Sequence, residues 1–294
     1  MDVGMTLPVM EPDLWAQDGT LEAWSRAIDE GPFSSLCFGE RLAFDNPDAP
    51  TLLGAVAAWT ARVRLVTTVV VPQLHAPVSL AKALATGDRL SGGRLTVGVG
   101  VGGRDEDYRA AGAGLDTRTI AGMADRVATM RRVWAGERVV DAFRPVGPPP
   151  VQQGGPPILV GTLGRRTIRA ASAWADGLAG MSLDVDLAEM ADLFTLTRDC
   201  WREAGRPAPR VTTSFWFALG DDARPQVHRH LRHYMNWIPG ELVDALAVTA
   251  GFAGTVAELA DLLKRIEDLG ADEVQLIPTG SDVDQVHRVA DLLA

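Results

Sequence analysis

Four groups of residues in this chain have types and spacings suited to chemistry. The first is a glycine run, Gly98-Val99-Gly100-Val101-Gly102-Gly103, at the end of an apolar stretch. Glycines let backbone amides close on a ligand, and successive free N–H groups can cradle an anion. The run has the form GxGxxG, but a dinucleotide fingerprint enters a helix at once and meets an acidic residue about 20 positions on. Here Arg104-Asp105-Glu106-Asp107-Tyr108 follows instead. That leaves two readings, an anion loop or glycines packed tightly at a rim. The second group, Gly161-Thr162-Leu163-Gly164-Arg165-Arg166, follows Ile158-Leu159-Val160 and opens a helical segment. Free amides at a helix start beside two arginines suit a phosphate, although the arginines equally suit a solvated face. The third is Glu40, directly after Ser35–Gly39. A carboxylate at a strand end can orient a ring N–H or serve as acid or base, so Glu40 is the catalytic candidate; a salt bridge to Arg41 or another rim arginine is the structural alternative. The fourth is His228, His230 and His233. On a helix 228 and 230 point to different faces, only 230 and 233 share one, and no acidic or cysteine partner completes a ligand set. They read as surface or lid histidines, and no metal is expected. The chain has no GxSxG, HExxH or Walker loop, so hydrolase and kinase chemistry have no foothold.

These groups need elements to position them. Apolar or β-branched runs at Val3–Leu7, Ser35–Gly39, Val63–Val71, Arg94–Gly100, Pro157–Gly161, Gly177–Met181, Val211–Leu219 and Glu273–Ile277 read as strands. They are nearly continuous rather than alternating, as in parallel strands covered on both faces. Between them the pattern predicts helices at Leu21–Asp29, Leu52–Ala61, Val78–Leu90, Arg118–Ala135, Arg165–Trp174, Leu187–Ala204, an Arg224–Val248 stretch and Val256–Leu269, with a last one over Val283–Leu293. Thr255 and Glu258 form a capping box before the eighth helix, and Gly270 stands where a left-handed cap belongs. Eight strand–helix pairs predict an α/β (β/α)8 barrel, taken as one domain over residues 1–294, with Gly147–Pro157 a surface insertion before the fifth strand. In such a barrel the chemistry sits in loops at the C-terminal ends of the strands, where the glycine runs and Glu40 fall.

Composition narrows the partners. Hydrophobic content of 47% and charged content of 22% are globular values. A net charge of −10 argues against nucleic acid or an anionic membrane as partner. Only Cys37 and Cys200 occur, without a disulfide framework, and the N-terminus has neither a basic leader nor a long apolar core. A cytosolic protein acting on a small molecule is the expectation.

The stretch Thr51–Tyr108 resembles the signature region of luciferase-like, flavin-dependent oxidoreductases. The resemblance is carried by A-x-x-T-x-R-V-R-L, P-V-S-L-A-K and R-L-S-G-G-R-L-T-V-G-V-G in that order. Ile158–Gly177 is similar to the family's second phosphate-side segment, and Gly254–Pro278 to its closing helix and strand. The resemblance implies a redox ring stacked over a bulge in strand three, with a cis peptide joining Thr68 and Val69. It also implies that Gly100, Val101, Gly102 and Gly103 lie beside the cofactor, and that Gly161, Thr162, Leu163, Gly164 and Arg165 face its phosphate.

Chain length and the fourth-strand loop resemble members using coenzyme F420, a deazaflavin, more than those using FMN. Several F420-dependent dehydrogenases carry Asp-His after strand two; this chain has Glu40-Arg41, and Gly103 where they have a glutamate. Sugar-phosphate oxidation is therefore not carried over. The leading expectation is an F420-dependent oxidoreductase moving a hydride to or from a small organic substrate, its pocket lined partly by Trp15, Phe44, Trp216 and Tyr234 unless these are core or lid packing. The alternatives are an FMN monooxygenase fed by a separate reductase and a non-catalytic cofactor binder. A homodimer is a further expectation from the resemblance.

Overall fold

The computed structural model describes residues 1–294. Its strands are β1 (Asp2–Thr6), β2 (Ser35–Phe38), β3 (Arg64–Val70), β4 (Leu95–Val99), β5 (Ile158–Gly161), β6 (Gly177–Ala179), β7 (Arg210–Leu219), β8 (Phe252–Gly254) and β9 (Glu273–Pro278). All pairings are parallel, and the chain of neighbours from β1 to β7 closes through β9 back onto β1. This is the (β/α)8 barrel that the alternation of runs implied. The eight barrel strands coincide with the eight sequence runs; β8 is the addition, three residues paired to Phe217–Leu219 at the far end of β7. So short a segment carries no periodic signal of its own.

The surrounding helices are α1 (Thr20–Glu30), α2 (Ala49–Trp59), α3 (Pro77–Leu90), α4 (Asp105–Ala110), α5 (Ile120–Trp134), α6 (Arg165–Ala171), α7 (Leu187–Glu203), α8 (Ala223–Tyr234), α9 (Gly240–Ala247), α10 (Val256–Asp268) and α11 (Asp284–Leu293). Thr255 Oγ1 accepts the Glu258 N–H while the Glu258 carboxylate accepts that of Thr255, and Gly270 has φ +83°. Where the sequence suggested one stretch over Arg224–Val248, the structure has two helices. Pro239 has no N–H to extend α8 and disfavours a helical residue before it, so the chain turns there and restarts. The six-residue α4, too short for a periodic pattern, was also not foreseen.

The two ends of the barrel differ in character. At the N-terminal end, Glu273, itself buried, accepts the hydroxyls of Ser34 and Ser35 and pairs with Arg210. Burial pushes the Cys37 thiol far up, away from the thiolate that would react. The C-terminal end carries the long loops and two cavities that share a wall, while a third cavity lies outside the barrel between α2 and α3. No helix is long and apolar enough to cross a membrane.

Candidate active site

The mouth of the barrel is organised by an irregularity in β3. Its register against β4 shifts between Thr67 and Val70, and the Thr68–Val69 peptide is cis. The neighbouring strands hold this bulge from both sides. The Glu40 N–H donates to the Val69 carbonyl at 3.1 Å, and the Gly100 N–H to the Val70 carbonyl at 3.0 Å. The Val71 N–H donates to Glu40 Oε2 at 2.7 Å, and Glu40 Oε1 lies 2.6 Å from His75 Nε2. Glu40 is thus a buried clamp on the bulge, with both oxygens committed to donors of the chain itself. Its partner is neither Arg41 nor another rim arginine. It is a histidine 35 positions away, just after the short turn Pro72–Leu74, and no local spacing announces that contact.

Burial alone would lower the His75 imidazole, but the hydrogen bond and negative charge of Glu40 outweigh it and raise the group above its usual value. A raised imidazole contributes stability that is fully present below its unfolded value of 6.5 and is lost as pH rises through the higher folded value. The melting temperature of the wild type is therefore expected to decline from near neutrality upward, and Glu40→Gln to flatten that decline. Thermal scans from about pH 5.5 to about 8.5 check this, and equal slopes in the two proteins would remove His75 as the source.

Val69 explains several of the glycines. A Cβ on Gly161 would stand 2.4 Å from Val69 Cγ1, and one on Gly100 2.7 Å from Val69 Cγ2. Gly98 faces the Thr67 carbonyl, where a Cβ would come within 2.1 Å. These three glycines seat the bulge. Gly102 and Gly103 do not: Gly102 takes φ +66°, and a Cβ on Gly103 would meet nothing. The N–H groups of Val101, Gly102 and Gly103, and those of Thr162 and Leu163, donate to no group of the chain, whereas Gly164 N–H is taken by Thr162 Oγ1 at 2.9 Å. Because β4 and β5 are direct neighbours (Val97 opposite Ile158, Val99 opposite Val160), these free donors emerge side by side on one rim. Arg165 is exposed, with Asp192 at 3.8 Å, and α6 behind it has seven residues.

Inside the mouth lies a cavity of about 100 Å³, lined by Gly39, Thr68, Trp216 and Tyr234 and, on one side, by Glu11 and His230. Glu11 and His230 also line a larger cleft of about 600 Å³ between the loop after β1, α8 and the loop after β9. Of the expected pocket aromatics, Trp216 and Tyr234 face the inner cavity, and Phe44 packs edge-on to Tyr234 at 6.1 Å between centroids. Trp15 is 57% exposed. Over the mouth, the Arg104 guanidinium lies 3.1 Å from the centre of the Trp237 ring, and that of Arg41 lies 5.6 Å away. Arg41 is itself buried and pairs with Asp107 at 2.7 Å and Glu106 at 2.6 Å, tying the loop after β2 to α4.

The histidines of α8 do not gather into a metal set. His228 pairs with Asp244 at the surface. His230, read from sequence as a surface or lid residue, is instead 3% exposed and bonded to Glu11. Helical spacing carried the signal: Val227, His230, Leu231 and Tyr234 recur at i, i+3, i+4 and i+7, which places His230 on the inward stripe. Glu11, between Met10 and Pro12 in the first rim loop, had no partner visible in sequence.

Against known proteins, the chain is 35% identical over 161 residues to an uncharacterised protein of Mycobacterium tuberculosis, covering 52% of this chain and 56% of that one. It is 29% identical over 210 residues to an F420-dependent glucose-6-phosphate dehydrogenase of Nakamurella multipartita, covering 64% of this chain and 59% of the relative. The chain thus spans little more than half the length of these curated relatives. Two solved structures share the fold over 99% of the chain at a TM-score of 0.79: the monooxygenase RslO1 from Streptomyces bottropensis, at 24% identity with 97% of its chain covered, and an F420-dependent secondary alcohol dehydrogenase bound to an F420-acetone adduct, at 17% with 98% covered. A model of the luciferase-like monooxygenase family matches residues 16–273, nearly the whole barrel, and the chain belongs to that family.

Proposed function

We propose that the protein is a coenzyme F420-dependent oxidoreductase, moving a hydride between the deazaflavin and a small organic substrate at the barrel mouth. The observation that carries this reading is the shared rim of β4 and β5, where five unpaired backbone N–H groups stand together beside the bulge of β3. Neutral donors in a row suit the anionic tail of such a cofactor. In this reading Gly100, Val101, Gly102 and Gly103 hold one side of the tail, and Gly161, Thr162, Leu163, Gly164 and Arg165 the other. Thr68 and Val69 support the ring, and Glu40 keeps them in place through Val71 and His75. Bound there, the cofactor supplies the hydride chemistry, while the chain contributes orientation and exclusion of water. The substrate occupies the inner cavity against Trp216 and Tyr234. F420-dependent relatives in sequence favour the deazaflavin over FMN. Acidic charge and the absence of a disulfide framework fit a cytosolic enzyme of small molecules.

The test is a titration of purified apoprotein with coenzyme F420 and, separately, FMN, following fluorescence quenching. Saturable quenching of F420, with FMN binding at least about tenfold weaker (1.4 kcal/mol or more), is expected. Tight binding of FMN with no response to F420 overturns the assignment in favour of a flavin enzyme.

A further inference from the structure

We propose that Glu11 and His230 form the proton-transfer dyad of this site, with His230 Nε2 as the atom that exchanges a proton with the substrate. The inference rests on the inner cavity being the place of reaction. His230 Nδ1 lies 2.6 Å from Glu11 Oε1, and the two side chains are 2% and 5% exposed. The other ring nitrogen, Nε2, is buried and has no partner anywhere in the protein. A buried polar atom without a partner carries a desolvation cost of about 1–3 kcal/mol, so in a native protein it calls for an explanation. Here the imidazole lines the inner cavity together with Thr68 of the bulge.

The surroundings fix the ring. Tyr234 stacks on it at 5.7 Å with an interplanar angle of 14°, and Trp216 lies 5.9 Å away. A carboxylate on Nδ1 keeps the proton on that nitrogen and leaves the Nε2 lone pair free, the arrangement by which an acidic residue sets the tautomer of a base. Glu11 and His230 also line the open cleft on the other side, where Asp13, Gln17 and Arg229 meet solvent. The dyad therefore stands between the inner cavity and the outer cleft, lining both, and offers a proton a route between them.

In the direction of oxidation, His230 Nε2 takes the hydroxyl proton of an alcohol as a carbonyl forms. The C–H bond breaks, and its electron pair departs with the hydrogen to the oxidised deazaflavin. The resulting imidazolium is stabilised by Glu11 and loses its extra proton toward the open cleft. In reduction the same imidazolium gives its proton to the carbonyl oxygen.

Imidazole nitrogen NMR on protein labelled with ¹⁵N-histidine tests this without requiring turnover. In the free wild type His230 is expected to carry its proton on Nδ1, with Nε2 a bare pyridine-type nitrogen; Glu11→Gln abolishes that preference and Glu11→Asp retains it. Adding coenzyme F420 shifts the Nε2 resonance, while His230→Gln binds F420 within about threefold of wild type (0.65 kcal/mol). With any substrate that turns over, His230→Gln lowers kcat by about 100-fold or more and leaves KM within about threefold. A proton fixed on Nε2 in the free protein, or an Nε2 resonance indifferent to bound F420, overturns the dyad. Failure of F420 to bind the wild type is a different outcome. It removes the cofactor assignment, whereas the tautomer of His230 is still read directly.

Discussion

Replacing Asp107 by alanine is expected to destabilise the protein by about 3 kcal/mol, one of the largest effects of any side chain at the mouth. Asp107 accepts three hydrogen bonds, from Arg41 Nε at 2.7 Å and from the N–H groups of Leu42 and Ala43 at 3.0 and 2.7 Å. The Arg41 side chain is 5% exposed, and its Nη1 already lacks a partner. Without Asp107 a buried guanidinium keeps only Glu106, which is 41% exposed, and two backbone donors lose their acceptor. Breaking such a pair costs more than the pair contributes, because the surviving charge stays buried. Asp107→Asn keeps an oxygen for the two N–H groups and loses only the charge, so about half the penalty is expected. Glu106→Gln, on the exposed side, should cost less than about 1 kcal/mol. Urea denaturation of the three variants gives the order. A Glu106→Gln as costly as Asp107→Ala would show that the guanidinium is held from outside, and that α4 does not anchor the loop after β2.

That anchor shows where sequence reading succeeds and where it stops. The barrel was legible because each strand is a run of buried residues covered on both faces, a property written locally along the chain. The placement of Gly100–Gly103 and Gly161–Arg165 at strand ends was legible for the same reason. Their division of labour was not. Gly100 and Gly161 make room for Val69, while Gly102 and Gly103 leave donors open, and only the bulge in β3 distinguishes the two pairs. Pairings between loops were equally hidden: Glu40 with His75, Arg41 with Asp107, and Glu11 with His230 are separated by 35, 66 and 219 positions. Strand pairing brings the first two pairs together and barrel closure through β9 the third, and a single sequence contains no record of either. His230 is the exception, since the apolar stripe on α8 points it inward.

The seating of Val69 yields the second large effect, and it can be isolated. Gly98, Gly100 and Gly161 have ordinary negative-φ backbone, so alanine there is opposed by space alone. Gly161→Ala drives a methyl to 2.4 Å from Val69 Cγ1, while the Val69 Cβ stays at 3.5 Å. Overpacking of this kind costs about 2 kcal/mol, and removing the valine methyls with Val69→Ala should recover most of it in the double variant. At Gly98 the obstacle is different. A methyl there meets the Thr67 carbonyl oxygen at 2.1 Å, a backbone atom that no side-chain change displaces. Gly98→Ala is therefore expected to cost about 3 kcal/mol or more, with no recovery from Val69→Ala. Denaturation of the singles and both doubles, together with F420 quenching, measures this. If Val69→Ala rescues neither glycine or both alike, the bulge is not held by the valine. If it rescues Gly161→Ala alone, the cradle of β3 depends on one isopropyl group fitting between two bare strand ends, and, under the proposed function, recovery of F420 quenching should follow recovery of stability.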